Sequence, residues 1–123
     1  ARRQPNARVL EKLHRFQDSL ATASIVWHEL SLGAMLLADS AKKRLIQQYL
    51  SDLAQSLPVL PYDREAADWH AAEKARLCAA GTPRPFVDGQ IAAVAAVHGL
   101  VLVTNNVDHF QLFQDLQVVN WHA

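Results

Sequence analysis

Residues Asp88 to Phe110 read DGQIAAVAAVHGLVLVTNNVDHF, and this stretch decides the fold because it divides into a helix and a strand. Its first half, 88–98, is rich in alanine and carries an acid in the first turn, where the helix dipole favours negative charge. Gly99 supplies a helix stop. The unbroken apolar run Leu100–Val103 predicts an interior parallel strand, buried on both faces and ended by the Thr-Asn-Asn turn.

Two carboxylates of this stretch are predicted to meet at one edge of the sheet. The helix and the strand each span about 16 Å, and only Gly99 separates them, so they run antiparallel. Asp88 and Asp108 then lie outside the carboxyl end of the strand, where open α/β sheets bind ligands. Mg²⁺ or Mn²⁺ takes oxygen ligands of this kind. Alternatively, Asp88 stabilises the helix dipole and Asp108 is a turn residue.

A third carboxylate, Glu29, is predicted to approach the same edge. Leu20–Ser24 is a strand candidate, and Ser24 can cap a helix running from about Ile25 to Leu37. Glu29 lies in the early turns of that helix among apolar neighbours, where a charge needs a partner such as a metal ion. Alternatively, Glu29 only complements the helix dipole.

Further elements follow from caps, prolines and periodicity. Ser40 caps a helix ending near Leu57, and Asp63 caps a helix ending near Ala80. His70 and Glu73, three positions apart on that helix, read as a surface pair. The remaining predictions are a first helix opening at Pro5, a short edge strand at 58–61 and a closing strand at 116–121.

Composition places the chain among ordinary globular proteins. The 123 residues form one predicted domain, 1–123, with 50% hydrophobic and 20% charged residues. No apolar run approaches the ~20 residues of a membrane span, and the single cysteine suits the reducing cytoplasm. All 12 Lys and Arg lie at or before Arg84, so any nucleic-acid contact is predicted to be a local patch.

Four segments in order resemble the PIN-domain ribonucleases of the VapC toxin type. Residues 23–33 (ASIVWHELSLG) and 81–93 (GTPRPFVDGQIAA) are similar to the second and third motifs of that family. Residues 102–110 (LVTNNVDHF) and 116–121 (LQVVNW) are similar to its fourth motif and closing strand. The resemblance covers nearly the whole chain, and its specificity lies in the combined order and spacing.

The resemblance implies a three-layer α/β/α domain with a mainly parallel central sheet. It implies a metal-dependent endoribonuclease toxin, which cleaves single-stranded RNA with metal-activated water. The implied ligands of Mg²⁺ (or Mn²⁺) are Glu29, Asp88 and Asp108. The implied partners are RNA, a VapB-type antitoxin that blocks the site, and a second copy forming a homodimer; the implied location is the cytoplasm. Residues expected to contact the substrate or support the acids are Ser24, Thr104, Asn106 and His109.

The chain departs from the family pattern in two places. The family's fourth motif sets its acid directly before the Phe, where this chain has His109, with Asp108 one residue earlier; either can fill the role. The family also begins with an apolar strand ending in Asp-Thr-Asn, and no such segment precedes Pro5. We therefore expect a shortened chain, or a strand supplied by another chain, and impaired cleavage by the chain as it stands. The alternative function is a catalytically degenerate interaction or RNA-binding module.

Overall fold

A computed structural model describes residues 11–12, 15 and 19–121. The helix predicted from Pro5 lies mostly outside these residues. No helix in the described part combines the length and the apolar character needed to cross a bilayer. In chain order the elements are β1 (Thr22–Ala23), α1 (Ser24–Leu36), α2 (Ala41–Ala54), β2 (Val59–Leu60), α3 (Arg64–Ala79), α4 (Phe86–Val97), β3 (Leu102–Val103), α5 (Val107–Phe110) and β4 (Val118–Val119).

The strands form two parallel pairs, which confirms the predicted α/β fold with parallel strands. β1 pairs with β2, aligning Thr22 with Val59, and β3 pairs with β4, aligning Leu102 with Val118. Among the described residues the two pairs do not join into one sheet. Each of β1 and β3 therefore has one edge without a strand partner in this part of the chain.

The prediction of a strand at Leu100–Val103 buried on both faces is wrong. Only Leu102 and Val103 are in strand conformation, and Val101 and Val103 are 47% and 39% exposed. The physical reason is that β3 is bonded on one side alone, to β4, so the described structure does not enclose it as an interior strand.

Most predicted helix ends are confirmed. Asp63 Oδ1 accepts the Ala66 N–H at 3.0 Å, and Ser40 Oγ accepts the Lys43 N–H at 3.1 Å. Gly99 ends α4 in the left-handed region, with φ of 63°. The cap assigned to Ser24 is wrong, because Ser24 is already the first residue of α1 and the residue before it has no side chain that can cap.

Helices α3 and α4 pack against each other at the centre of the molecule. Their side chains belong to two buried clusters, and the Trp69 ring of α3 packs against both. One cluster surrounds β1, and the other joins the helices to β3, β4 and α5. The buried residues of the first are Ala23, Ala66, Ala93 and Val94, and those of the second are Leu77, Ala92, Phe110 and Phe113.

The expectation that His70 and Glu73 form a surface pair is wrong, because both side chains are buried, at 4% and 7% exposure. The His70 ring lies against α4 beside Gly89, and its Nδ1 is 2.8 Å from the Tyr62 hydroxyl oxygen. Burial, together with the nearby charge of Lys74, lowers the pKa of His70. A neutral imidazole thus packs against the turn of α4 that carries Asp88.

Glu73 ties α3 to the segment that follows α5. Its carboxylate accepts two hydrogen bonds from Arg76, at 2.9 and 2.8 Å, and one from the backbone N–H of Gln114 at 2.9 Å. The bonds from Arg76, and that from Gln114, hold the Glu73 pKa below its usual value although burial opposes them. Arg76 also donates to the Leu112 carbonyl oxygen at 2.7 Å, so α5 is held in place from its carboxyl side.

We expect Glu73→Gln to lower the free energy of unfolding by about 1–3 kcal/mol, because the buried charge is lost and one of the two acceptor oxygens becomes an NH2 group that faces the donors of Arg76 or Gln114. The control is Glu29→Gln, which changes an exposed glutamate on α1 and should stay within about 0.5 kcal/mol. Urea unfolding measures both, and equal effects would contradict the role given to Glu73.

We expect Gly89→Ala to destabilise the protein by about 1–3 kcal/mol, because a Cβ at Gly89 would overlap the His70 ring. Gly33 is the matched control, since it also lies inside a helix but a Cβ there would meet nothing within 4 Å. Gly33→Ala should therefore stabilise by about 0.5–1 kcal/mol. Thermal and urea unfolding give the sign of each change, and stabilisation by both substitutions would disprove the close contact.

Candidate functional site

Asp88 lies in the first turn of α4, directly after a loop made rigid by Pro83 and Pro85. Its side chain is 19% exposed, and its Oδ2 atom is buried without a hydrogen bond from any described group. A buried carboxylate oxygen without a donor is costly, so such atoms call for an explanation. A bound cation would satisfy the Asp88 Oδ2 atom, and its role as a metal ligand stays a prediction.

His109 is the side chain that faces this oxygen. Its Nδ1 lies 3.6 Å from Asp88 Oδ2, which is within ion-pair range but longer than a hydrogen bond. Asp108 precedes it on α5 and is exposed, on the wall of an open cavity of about 380 Å³. Of the two residues that compete for the fourth-motif position, His109 is thus the one beside Asp88. The cavity is lined by Asn105, Asn106, Val107, Asp108, His109 and Asn120.

Thr104 and Asn106 shape the turn between β3 and α5. Thr104 Oγ1 accepts the backbone N–H of Asn106 at 3.0 Å, which is turn chemistry of the kind the Thr-Asn-Asn sequence predicts. The Asn106 side chain makes no cap hydrogen bond to α5 and lines the cavity. The Thr104 side chain therefore stabilises the turn, while the Asn106 side chain faces the cavity, where a ligand can reach it. Ser24, by contrast, is a half-buried residue at the start of α1.

Glu29 is exposed on α1 and makes no hydrogen bond or ion pair with the described residues. Within those residues, no three of His, Cys, Asp and Glu lie close enough to hold a metal ion. The structure brings together Asp88 and His109, and the joint role of Glu29, Asp88 and Asp108 stays a prediction. Asp88 fits a metal ligand by its buried, unpaired oxygen, and Mg²⁺ needs only one or two protein carboxylates because it keeps several waters.

Two cations beside Asp88 were not singled out from the sequence. Arg84 and Lys74 line a small cavity of about 10 Å³ together with His70 and Gly89. The Arg84 Nε atom is buried and has no hydrogen-bond partner among the described groups, and the Lys74 ammonium lies 5.2 Å from the centre of the Phe86 ring. The signal for Arg84 was its place between two prolines just before Asp88. These two cations line a cavity separate from the one beside His109, and its volume is too small to admit a phosphate.

Comparison with known proteins shows the family of the chain. The model of the PIN domain family matches residues 1–115. The tRNA(fMet)-specific endonuclease VapC of Salmonella typhimurium is 31% identical over 114 residues, covering 92% of this chain and 83% of that protein. Toxin FitB of Neisseria gonorrhoeae is 31% identical over 126 residues, covering 98% of this chain and 90% of that protein.

A solved structure shows the same fold. The crystal structure of DNA-bound VapBC from Salmonella typhimurium superposes with a TM-score of 0.81 at 29% identity, covering 94% of this chain and 85% of that chain. The resemblance seen in the four sequence segments is thereby confirmed over nearly the full length of the chain. The chain belongs to the PIN-domain family, with VapC-type toxins among its relatives.

Proposed function

We propose that this chain is a metal-dependent endoribonuclease toxin that acts on single-stranded RNA and is neutralised by an antitoxin. The observation that carries the proposal is the buried, unpaired Asp88 oxygen at the start of α4, beside a polar cavity. Membership of the PIN-domain family, and relatives named as an endonuclease and a toxin, support the same function.

In the proposed site, Asp88 holds a Mg²⁺ or Mn²⁺ ion with Glu29 and with Asp108 or His109. A bound ion supplies an activated water and stabilises charge on the leaving oxygen of the phosphodiester. Asp88 lies in the first turn of α4, where a helix start is a common place for an acidic residue.

The substrate class follows from charge and shape. The chain as a whole has no net charge to hold a long duplex. The cavity is walled by amide and acidic side chains, including Asn105 and Asn106, which can hydrogen-bond to unpaired bases or sugars. The open polar cavity and the absence of a net positive charge support a single strand as the substrate.

The first functional prediction concerns Asp88. We expect this chain to show residual RNA cleavage with Mg²⁺ or Mn²⁺, none in EDTA, and a loss of at least about 10–100-fold in Asp88→Asn. The control is Asp115→Asn, an isosteric change at the positive φ of 59°, which asparagine tolerates. A gel assay on a labelled single-stranded RNA measures these rates, and cleavage that survives EDTA would contradict the proposal.

The alternative, an RNA-binding or interaction module without catalysis, is favoured by the incomplete donor set among the described residues. The same preparations distinguish the two functions. RNA that is retained on the protein but not cleaved under any metal condition, with equal retention by Asp88→Asn, would support the binding module.

The antitoxin has a candidate docking surface on α1 and α2. Both helices expose large apolar side chains, and apolar areas of this kind mark protein interaction sites. Glu29 lies three positions before Leu32 on α1, on the same side of the helix, so a partner seated there would also approach the Glu29 carboxylate. This gives a physical route from antitoxin binding to inhibition. The apolar helix surface consists of Leu30, Leu32, Met35, Leu36, Leu45 and Tyr49.

We expect Met35→Glu and Leu45→Glu to weaken binding of a purified VapB-type antitoxin by at least about tenfold, since a buried charge opposes an apolar contact. Gln47→Glu is the control, because it adds the same charge at an exposed polar position of α2. Calorimetric titration measures the affinities. Light scattering on the free chain tests the competing occupant, because a homodimer broken by the same substitutions would assign this surface to self-association.

A further inference from the structure

We propose that the imidazole of His109, rather than the carboxylate of Asp108, is the metal ligand paired with Asp88, which makes the site a mixed nitrogen–oxygen site that prefers Mn²⁺ to Mg²⁺. This inference rests on the proposed metal-dependent function. It concerns which side chain binds the ion and which ion is preferred.

The separation of the two atoms is the first argument. His109 Nδ1 and Asp88 Oδ2 are 3.6 Å apart, too far for a hydrogen bond. Two ligand atoms that each lie about 2.1 Å from one ion are about 3.0–3.5 Å from each other. Neither atom has a hydrogen-bond partner among the described groups. The 3.6 Å separation is about 0.1 Å longer than that range, so a small approach of the exposed His109 side chain would let both atoms bind one ion. Asp88 Oδ2 is the atom of the pair that is buried without a donor.

The rotational setting of α5 is the second argument. Successive residues of a helix point about 100° apart, so Asp108 and His109 cannot both face Asp88. Phe110 fixes which one does, because its ring is 6% exposed and belongs to the second buried cluster. With Phe110 held in the core, His109 faces Asp88 and Asp108 is exposed on the wall of the cavity.

The ligand type determines the metal preference. Mg²⁺ favours oxygen ligands throughout, whereas imidazole nitrogen is a ligand for transition metals. Replacing one carboxylate by an imidazole lowers the negative charge of the site, which weakens the binding of both ions. The added nitrogen ligand disfavours Mg²⁺ relative to Mn²⁺. The competing explanation is an ion pair in which protonated His109 merely balances the Asp88 charge, with no bond to the metal.

Pulsed electron paramagnetic resonance of Mn²⁺ bound to the full chain tests the proposal. We expect a ¹⁴N coupling from an imidazole nitrogen in the unmodified protein and its loss in His109→Asp, which should still bind Mn²⁺. The coupling should persist in Asp108→Asn and in His28→Gln, which removes an exposed imidazole next to Glu29. Titration with Mn²⁺ should show an affinity at least about tenfold lower in His109→Ala than in the unmodified chain.

Competition with Mg²⁺ supplies a second readout. The Mg²⁺ concentration needed to displace bound Mn²⁺ should be lower for His109→Asp than for the unmodified chain. Bound Mn²⁺ without ¹⁴N coupling, or a coupling that survives His109→Asp, would overturn the ligand assignment and leave the metal-dependent function standing. Failure of the unmodified chain to bind Mn²⁺ at all would overturn both.

Discussion

The close packing of α3 against α4 is the constraint on which the rest of the structure depends. Small residues on α4 allow the approach, since a side chain as small as alanine at Gly89 would already overlap the His70 ring. Trp69 then spans the two buried clusters, one around β1 and the other under β3 and β4. In the described part of the chain the two strand pairs share no backbone hydrogen bond, so this helix pair connects them.

Helix α3 positions the candidate site, although none of the proposed metal ligands lies on it. His70 packs against the turn that carries Asp88, and Glu73, one turn later, binds the segment just beyond α5. The separation of Asp88 from His109 therefore depends on two buried polar residues of α3. Each has hydrogen-bond partners: His70 Nδ1 bonds to the Tyr62 hydroxyl group, and Glu73 bonds to Arg76 and Gln114. Buried polar groups with complete hydrogen bonding specify one arrangement, whereas unsatisfied groups would destabilise it.

Two kinds of apolar surface remain exposed in the described structure, and their physical meanings differ. Val101 and Val103 lie along β3, whose free edge offers both side chains and backbone groups to another strand. Met35 and Leu36 lie in the last turn of α1, where their N–H groups are bonded within the helix, and they expose large side chains rather than a strand edge. The first surface suits strand pairing, and the second suits the packing of a partner's apolar segment.

The sequence by itself determined the features that depend on neighbouring residues: the caps at Ser40 and Asp63, the stop at Gly99, and the placement of Asp88 in a first helical turn. The sequence also indicated the protein family, because the order and spacing of four motifs can be recognised without coordinates. Only the tertiary structure decided that His70 and Glu73 are buried, that β3 is partly exposed, and that His109 faces Asp88. These outcomes depend on contacts between distant segments, such as the bond from Gln114 to Glu73 across 41 residues, which no local pattern encodes.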